Sequence, residues 1–205
     1  MVRHGETVWH AENRYTGASD IALTDRGREQ ARTLATWAAT AGLTACWSST
    51  LTRAVETLAP AAEAAGLVAH QDDRLREIEF GQGEGLTGAE MRERFPERYA
   101  AFERDPAGSH LPGGEDPVDA VKRSSACLDE IAAAHAGGRI LVVWHSTLMR
   151  LVLCDWLGIP LSEYRRTFPA VRNVGITEIR VAAGRRSLLQ FNTPIETALA
   201  QEDHR

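Results

Sequence analysis

Arg3 and His4 stand together near the start of the sequence, followed by Gly5 and Glu6. Phosphoryl transfer needs fixed positive charge around the phosphoryl oxygens and a nucleophile in line with the leaving oxygen. Arginine stays charged at any working pH and its fork of donors fits a phosphate dianion, while neutral histidine is a nucleophile. The pair therefore indicates a phosphate site with its own nucleophile. By itself it is equally compatible with a surface turn that carries an incidental ion pair.

A phosphorylated histidine needs further cations and usually a second imidazole, and each has a candidate. Arg53 follows the apolar segment 45–48 and opens a helical pattern, where backbone N–H groups attract anions. His145 follows the apolar run 140–144, which is typical of a strand buried on both faces. Ligands of open α/β sheets bind at the carboxyl end of such strands. The simpler interpretations are a solvated arginine and a structural histidine.

The acid that protonates a leaving alkoxide is expected in the loop 74–85, which contains three glycines and two candidate carboxyl groups, Glu77 and Glu79. In an extended segment their side chains point to opposite sides, so only one of them faces a given pocket. Either can be the general acid. The alternative is a solvated acidic loop in which Arg74 and Arg76 are ion-pair partners.

Taken together and in this order, these motifs resemble the histidine phosphatase superfamily, the phosphoglycerate-mutase-like enzymes. The matching segments span most of residues 1 to about 192 and are 2–9, 13–17, 23–27, 48–54, 75–81 and 143–146. The resemblance implies an α/β fold, a three-layer α/β/α sandwich with a mostly parallel central sheet.

The resemblance also assigns roles. It implies that His4 is phosphorylated during turnover, that Arg3 and Arg53 clamp the phosphate, and that His145 is a further phosphate ligand. Glu77 aligns with the family's proton donor, and the same carboxylate could then activate the water that hydrolyses phosphohistidine. Further contacts to the phosphate or substrate are expected from His10, Thr16, Gly17 and Ser146.

The sequence departs from the family pattern in three places. Relatives carry several apolar residues before the Arg-His pair, whereas only Met1 and Val2 precede it here, so we expect a truncated first strand and favour a displaced start as its cause. Such a strand would deprive its neighbours of a partner and His4 of a rigid support. His10 stands where many relatives have asparagine, and Ser146 stands where glycine is usual.

The favoured function is hydrolysis of a small phosphomonoester, without metal or cofactor. Scattered acids do not form a metal site, and two histidines with two arginines would repel a cation. In the family a lid, here about 82–116, reads the non-phosphate part of the substrate, and 111–115 resembles the phosphatase branch. Segment 12–17 resembles cofactor-dependent phosphoglycerate mutases, which are the first alternative. An inactive phosphoester-binding module is the second.

Local signals predict the elements that position these residues. Thr24 is predicted to cap a helix to about residue 41, and Thr87 to open one in a capping box that Pro96 interrupts. Further helices are predicted over 117 to about 136 and over 147–157. Two last strands are predicted over 176–181 and 187–191.

Composition limits the remaining classes. The 205 residues with 43% hydrophobic content suit one domain over 1–195, followed by a frayed polar tail at 196–205. A net charge of −5 without a basic stripe argues against nucleic acid, and no apolar run is long enough to cross a membrane. Three cysteines favour a reducing cytoplasm over a disulfide framework, and the Ala- and Arg-rich composition indicates a bacterial origin. A homodimer is left open.

Overall fold

A central six-stranded sheet organises the molecule. The computed structural model describes residues 1–182 and 184–195, so the predicted tail at 196–205 lies outside the described residues. The strand order is β3-β2-β4-β1-β5-β6. The first four strands in the chain run parallel to one another, and β5 and β6 are antiparallel additions at one edge. The strands are β1 (Val2–Arg3), β2 (Ala45–Ser48), β3 (Ala69–Gln71), β4 (Ile140–Trp144), β5 (Ile176–Ala182) and β6 (Arg185–Thr193).

Seven α-helices in the described part of the chain cover this sheet. They are α1 (Asp25–Ala38), α2 (Thr52–Ala64), α3 (Gly88–Arg94), α4 (Pro96–Arg104), α5 (Pro117–Ala134), α6 (Ser146–Trp156) and α7 (Tyr164–Thr167). Helices α1 and α2 pack on one face of the sheet, and α5 and α6 pack on the other. The expected three-layer α/β/α sandwich with a mostly parallel sheet is confirmed.

Strand β4 shows why the sheet is buried on both sides. Leu141 and Val143 point into the core under α1 and α2, whereas Val142 and Trp144 point into the core under α5 and α6. Successive side chains of a strand alternate between faces, so a continuous apolar run is what a doubly covered strand requires.

Strand β1 has only two residues, yet its backbone is bonded on both sides. Val2 pairs with Val143 of β4 and with Ile176 of β5. Where the two flanking strands continue beyond β1 they enclose a cavity of about 610 Å³. The short first strand is thus paired with both of its neighbours in the sheet.

The capping predictions are confirmed. The Thr24 hydroxyl accepts from the Gly27 N–H at the start of α1. Thr87 and Glu90 form the capping box of α3, and the next helix begins at Pro96. Strand β3 and helix α7 were not predicted, because three exposed residues and a single helical turn carry too little periodicity to be recognised. Of the described residues, no helix is long and apolar enough to cross a membrane.

Candidate active site

His4 stands just past the end of β1, at the carboxyl edge of the parallel strands. Its backbone N–H donates to the Trp144 carbonyl at 3.0 Å, and its carbonyl accepts from the Asn173 side chain at 2.8 Å. The expected loss of support for His4 is therefore offset by bonds from both neighbouring segments. The ring Nδ1 lies 2.7 Å from the Gly5 carbonyl, which can only accept, so Nδ1 carries the proton. The lone pair is consequently on Nε2.

The surroundings of His4 keep its ring neutral. Burial lowers the pKa of His4 well below its usual value, and the nearby charges of Arg53 and Arg3 lower it further. Only the neutral imidazole has a lone pair to attack phosphorus, because both nitrogens of the cation are protonated. The site thus holds the ring in the nucleophilic form.

Arg53 is wholly buried in the first turn of α2. Its Nη1 donates to the Ser19 carbonyl at 2.6 Å and its Nη2 to the Gly17 carbonyl at 2.9 Å. Its Nε has no hydrogen-bond partner among the described residues. A buried guanidinium held by carbonyls and left with a free donor is suited to receive an anion.

Two further buried donors near His4 lack partners within the described residues, Arg3 Nε and His145 Nδ1. The rings of His4 and His145 lie 5.2 Å apart between centroids. The Nε2 of His145 is 2.7 Å from the Ser49 hydroxyl, and when that hydroxyl donates, Nδ1 carries the proton. Unpartnered buried donors are costly, so buried donors near one another are suited to receive an anion.

His10 contacts Arg3 directly, with Nε2 2.6 Å from the guanidinium Nη2. Its Nδ1 accepts from the backbone N–H of Thr7 at 3.0 Å. A neutral ring has one acceptor nitrogen, so these two contacts belong to different tautomers; when Nε2 accepts from Arg3, Nδ1 carries the proton and can donate to the Thr7 hydroxyl at 2.9 Å. Burial lowers the pKa of His10 to about 4, with Arg3 the second cause.

Glu77 is buried at the N-terminus of α6, where it caps the helix. One carboxylate oxygen accepts from the Thr147 N–H at 2.9 Å, and the other accepts from Leu148 at 2.8 Å and Ile78 at 3.0 Å. Burial raises the pKa of Glu77, although these three N–H groups act in the opposite direction. Glu79, the other candidate, is exposed. As expected for an extended segment, only one of the two carboxyl groups faces the site.

Arg123 and Glu115 support the acid loop, the segment 74–85 that carries Glu77. The Arg123 guanidinium donates to the Arg74 carbonyl at 2.7 Å and the Arg76 carbonyl at 3.0 Å, and it forms a bidentate pair with Glu115. The Glu115 N–H in turn donates to the Glu79 carbonyl. The turn at 111–115 is thereby tied to the loop that carries Glu77.

Arg3, His4, His10 and Glu77 line a cavity of about 210 Å³. Its walls are formed by the segment 3–16, the acid loop and helices α6 and α7. The lining residues are Arg3, His4, Thr7, Trp9, His10, Asn13, Arg14, Tyr15, Thr16, Glu77, Phe80, Ser146, Thr147, Arg150, Tyr164 and Arg165. Arg53 and His145 lie in the layer beneath.

Of the expected substrate contacts, His10, Thr16 and Ser146 line the cavity, whereas Gly17 does not. The Gly17 N–H donates to the Glu84 carboxylate and its carbonyl accepts from Arg53. Gly17 therefore positions an arginine and has no free N–H for phosphate.

Among the described residues, the segment expected to form a lid, about 82–116, does not line the cavity. Phe102 of α4 instead packs behind it, 5.8 Å from the Tyr15 ring and 4.6 Å from the Arg165 guanidinium. The segment supports the cavity wall from outside.

Sequence reasoning missed two cavity arginines, Arg150 and Arg165. Arg150 is four residues after Ser146, so helical spacing places both on one face of α6 and could have identified it. Arg165 lies on the single turn α7, and no local signal places that turn beside the first segment of the chain.

A free imidazole lone pair, buried arginines with unused donors and a buried carboxyl group together equip the cavity for phosphoryl transfer. The family model for the histidine phosphatase superfamily, branch 1, matches residues 1–194. The chain belongs to this superfamily.

Similar proteins include both phosphatases and mutase-like proteins. Phosphoserine phosphatase 1 of Hydrogenobacter thermophilus is 33% identical over 164 residues, which cover 80% of this chain and 78% of that protein. Phosphoglycerate mutase-like protein 4 of Arabidopsis thaliana is 35% identical over 177 residues, covering 85% of this chain and 72% of the relative.

Two solved structures share the whole fold. YhfR of Bacillus stearothermophilus superposes with a TM-score of 0.88 at 30% identity, covering 94% of this chain and 95% of that one. A mycobacterial glucosyl-3-phosphoglycerate phosphatase, solved with VO3, gives 0.86 at 28% identity and covers 95% and 98%. Together with the family match, these neighbours support phosphatase or mutase activity on a small phosphorylated molecule.

Proposed function

We propose that this protein is a phosphomonoester hydrolase that works through a phosphohistidine at His4. The observation that carries the proposal is that the His4 ring, with its lone pair on Nε2, lies near three residues whose buried nitrogens lack partners in the described part of the chain, Arg3 Nε, Arg53 Nε and His145 Nδ1. A nucleophile surrounded by unused cationic donors matches a dianionic phosphoryl group and matches little else.

In the first step, His4 Nε2 forms a bond to phosphorus and the ester P–O bond breaks. Arg3, Arg53 and His145 hold the phosphoryl oxygens as charge develops on them. His10 and Ser146 contact the same group from the cavity wall. The Gly5 carbonyl, which accepts from Nδ1, stabilises the positive charge that the ring gains during attack.

Glu77 supplies the proton that the leaving alkoxide needs. Its raised pKa favours the protonated form, and a bound phosphoryl dianion adds to this effect. Once ionised, the carboxylate can take a proton from water as that water attacks phosphohistidine, which releases phosphate and regenerates His4. We place the reaction in the cytoplasm, where the buried free cysteines Cys46, Cys127 and Cys154 stay reduced.

Replacement of His4 tests the proposal. With p-nitrophenyl phosphate as substrate, we expect His4→Gln to lower phosphate release by about 10³-fold or more, because the nucleophile is removed. Rapid quenching of wild type should trap a base-stable, acid-labile phosphoenzyme. His110→Gln, at an exposed position, is the matched control. Turnover that persists in His4→Gln would overturn the proposal.

The mechanism uses arginine and histidine where other phosphatases use metal ions. We expect the rate to be unchanged after dialysis against EDTA and after addition of Mg²⁺ or Zn²⁺. A rate that falls in chelator and returns with one of these ions would contradict this account.

A mutase is the second candidate, supported by the likeness to the mutase-like relative. Arg14 is the basic residue of segment 12–17, and it forms ion pairs with Glu12 and Glu90. Its charge is therefore less available to the second phosphate that a mutase must hold. Isomerisation of 3-phosphoglycerate that depends on 2,3-bisphosphoglycerate and releases no phosphate would favour the mutase. Binding without either reaction would identify the inactive module.

A further inference from the structure

Two arginines on the outer wall of the cavity, Arg150 and Arg165, have no carboxylate partner in the described part of the chain. Arg14, on the same wall, differs because it pairs with Glu12 and Glu90. The cavity therefore carries positive charge beyond Arg3 and Arg53, and within the described residues no carboxylate forms an ion pair with it.

Both arginines are held in place by neutral groups. Arg150 Nε donates to the Ser146 carbonyl at 3.1 Å, and its guanidinium lies 4.9 Å from the centre of the Tyr164 ring. Arg165 Nε donates to the Tyr164 hydroxyl at 3.0 Å, and Phe102 supports its guanidinium from behind. Each arginine is oriented by carbonyls, hydroxyls and aromatic faces, which leave its charge available to a ligand.

Each arginine keeps N–H groups without a hydrogen-bond partner in the described residues. Arg150 Nη2 and Arg165 Nη1 make no hydrogen bond within the described residues, and both side chains line the cavity. Arg165 Nη2 reaches only the Tyr15 hydroxyl, at 3.4 Å. The two arginines thus offer unused N–H groups to the cavity from α6 and α7.

Arg150 lies close to the residues that are proposed to hold the phosphoryl group. Arg150 is one helical turn, roughly 6 Å, beyond Ser146, and its side chain turns back toward that residue. The pKa of Arg3 is lowered to about 10, chiefly by burial, and the nearby charge of Arg150 contributes to this lowering. The second cationic group is therefore within electrostatic range of the first.

The size of the cavity limits the substrate. A volume of about 210 Å³ is below the roughly 300–1,000 Å³ of pockets for drug-sized ligands. A molecule of a few carbon atoms fits such a space better than a nucleotide does.

On the basis of the proposed function, we propose that Arg150 and Arg165 form a second anion subsite and select small phosphomonoesters that carry another anionic group, a carboxylate or a phosphate. The phosphoryl group binds against His4, and the second anion binds the free donors of the two arginines. Neither arginine is assigned a part in the chemical step.

A pair of matched substrates tests the subsite. 3-Phosphoglycerate and glycerol 3-phosphate differ by a carboxylate in place of a hydroxymethyl group, and 1,3-propanediol bisphosphate against 3-hydroxypropyl phosphate tests a phosphate as the second anion. We expect wild type to prefer the doubly anionic member by tenfold or more in kcat/KM. The pair with the larger preference identifies the second anion.

Variants assign this preference to residues. In Arg150→Met and Arg165→Met the preference should fall about tenfold, mainly through KM, and Arg150→Lys should restore part of it. Arg166→Met is the matched control, because Arg166 is adjacent but exposed and pairs with Glu163. Equal loss for both members of a pair, or no preference in wild type, would overturn the subsite.

Binding separates this proposal from the proposed function. In His4→Gln, calorimetry with the same substrate pairs measures selectivity without turnover. Selective binding by His4→Gln, together with no hydrolysis by wild type, would keep the subsite and reject the hydrolase. His4-dependent hydrolysis of p-nitrophenyl phosphate without selectivity would keep the hydrolase and reject the subsite.

Discussion

At the scale of single residues, burial shifts the pKa values of two neighbouring groups in opposite directions. Burial and two arginines lower the pKa of His4, whereas burial raises the pKa of Glu77. The same desolvation favours the uncharged form of a base and of an acid, which are the forms that the proposed nucleophile and proton donor need.

The acid role of Glu77 predicts a dependence on the leaving group. We expect Glu77→Gln to slow hydrolysis of an alkyl phosphate by about 10²–10⁴-fold and that of p-nitrophenyl phosphate far less, since p-nitrophenolate needs no proton to leave. Steady-state kinetics with both substrates measures this. Equal slowing of the two would remove Glu77 from the acid role.

The same residue predicts a pH profile. Because the pKa of Glu77 is raised, the protonated acid persists above the ordinary carboxyl range and is lost as pH increases through the raised pKa. With an alkyl phosphate, kcat/KM should therefore decline on the alkaline side. That decline should be absent in Glu77→Gln, whose amide does not titrate.

At the scale of elements, the segment that follows His4 is packed directly against the start of α1. A Cβ at Gly27 would lie 2.1 Å from the Glu6 carbonyl oxygen, and one at Gly5 would lie 2.6 Å from the Gly27 carbonyl oxygen. The Thr24 N–H also donates to the Glu6 carbonyl at 2.9 Å. Backbone contact at this crossing fixes where the chain leaves the nucleophile.

This contact predicts that Gly27→Ala lowers the free energy of unfolding, which is the opposite of what helix propensity alone predicts. Glycine to alanine inside a helix normally stabilises by about 0.5–1 kcal/mol. At Gly27 we expect alanine to destabilise by about 1–3 kcal/mol, because the new methyl group overlaps with backbone that cannot move aside. Urea unfolding measures the difference.

The control for this measurement is Thr36→Ala, at an exposed position of the same helix, with an expected change within about 0.5 kcal/mol. A Gly27→Ala protein as stable as wild type, or more stable, would show that the contact between Gly27 and the Glu6 carbonyl has room for a methyl group.

At the scale of the whole molecule, folding buries two histidines, His4 and His145, and disfavours their charged form. The pKa values of His4 and His145 are well below the usual value, chiefly because of burial and then because of Arg53. An unfolded histidine titrates near 6.5, so below that pH the unfolded state binds protons that the folded state does not. Stability must therefore fall as pH falls.

We expect the free energy of unfolding to decrease between pH 7.5 and 5.5, with each buried histidine contributing at most about 1.4 kcal/mol per pH unit. Glu77, whose raised pKa acts in the opposite direction, reduces the slope. Urea unfolding at several pH values should give a shallower slope for His145→Gln than for wild type. A slope unchanged in His145→Gln, or matched by His110→Gln, would contradict the assignment.

Much of the fold was predictable because it depends on local patterns. Helix caps at Thr24 and Thr87 and the apolar run at 140–144 follow from short-range chemistry, and the order of the motifs indicated the superfamily. The residues placed around His4 were also proposed from sequence, since the carboxyl ends of parallel strands meet at one edge of a sheet.

The sequence by itself determined the residue types that could do phosphoryl transfer and the strand ends that carry them. Only the tertiary structure decided that Glu77 is buried and Glu79 exposed, that Gly17 positions Arg53, and that Arg150 and Arg165 face the cavity without a carboxylate. The physical reason is that burial, donor satisfaction and charge balance depend on contacts between distant segments. Local sequence patterns do not encode those contacts.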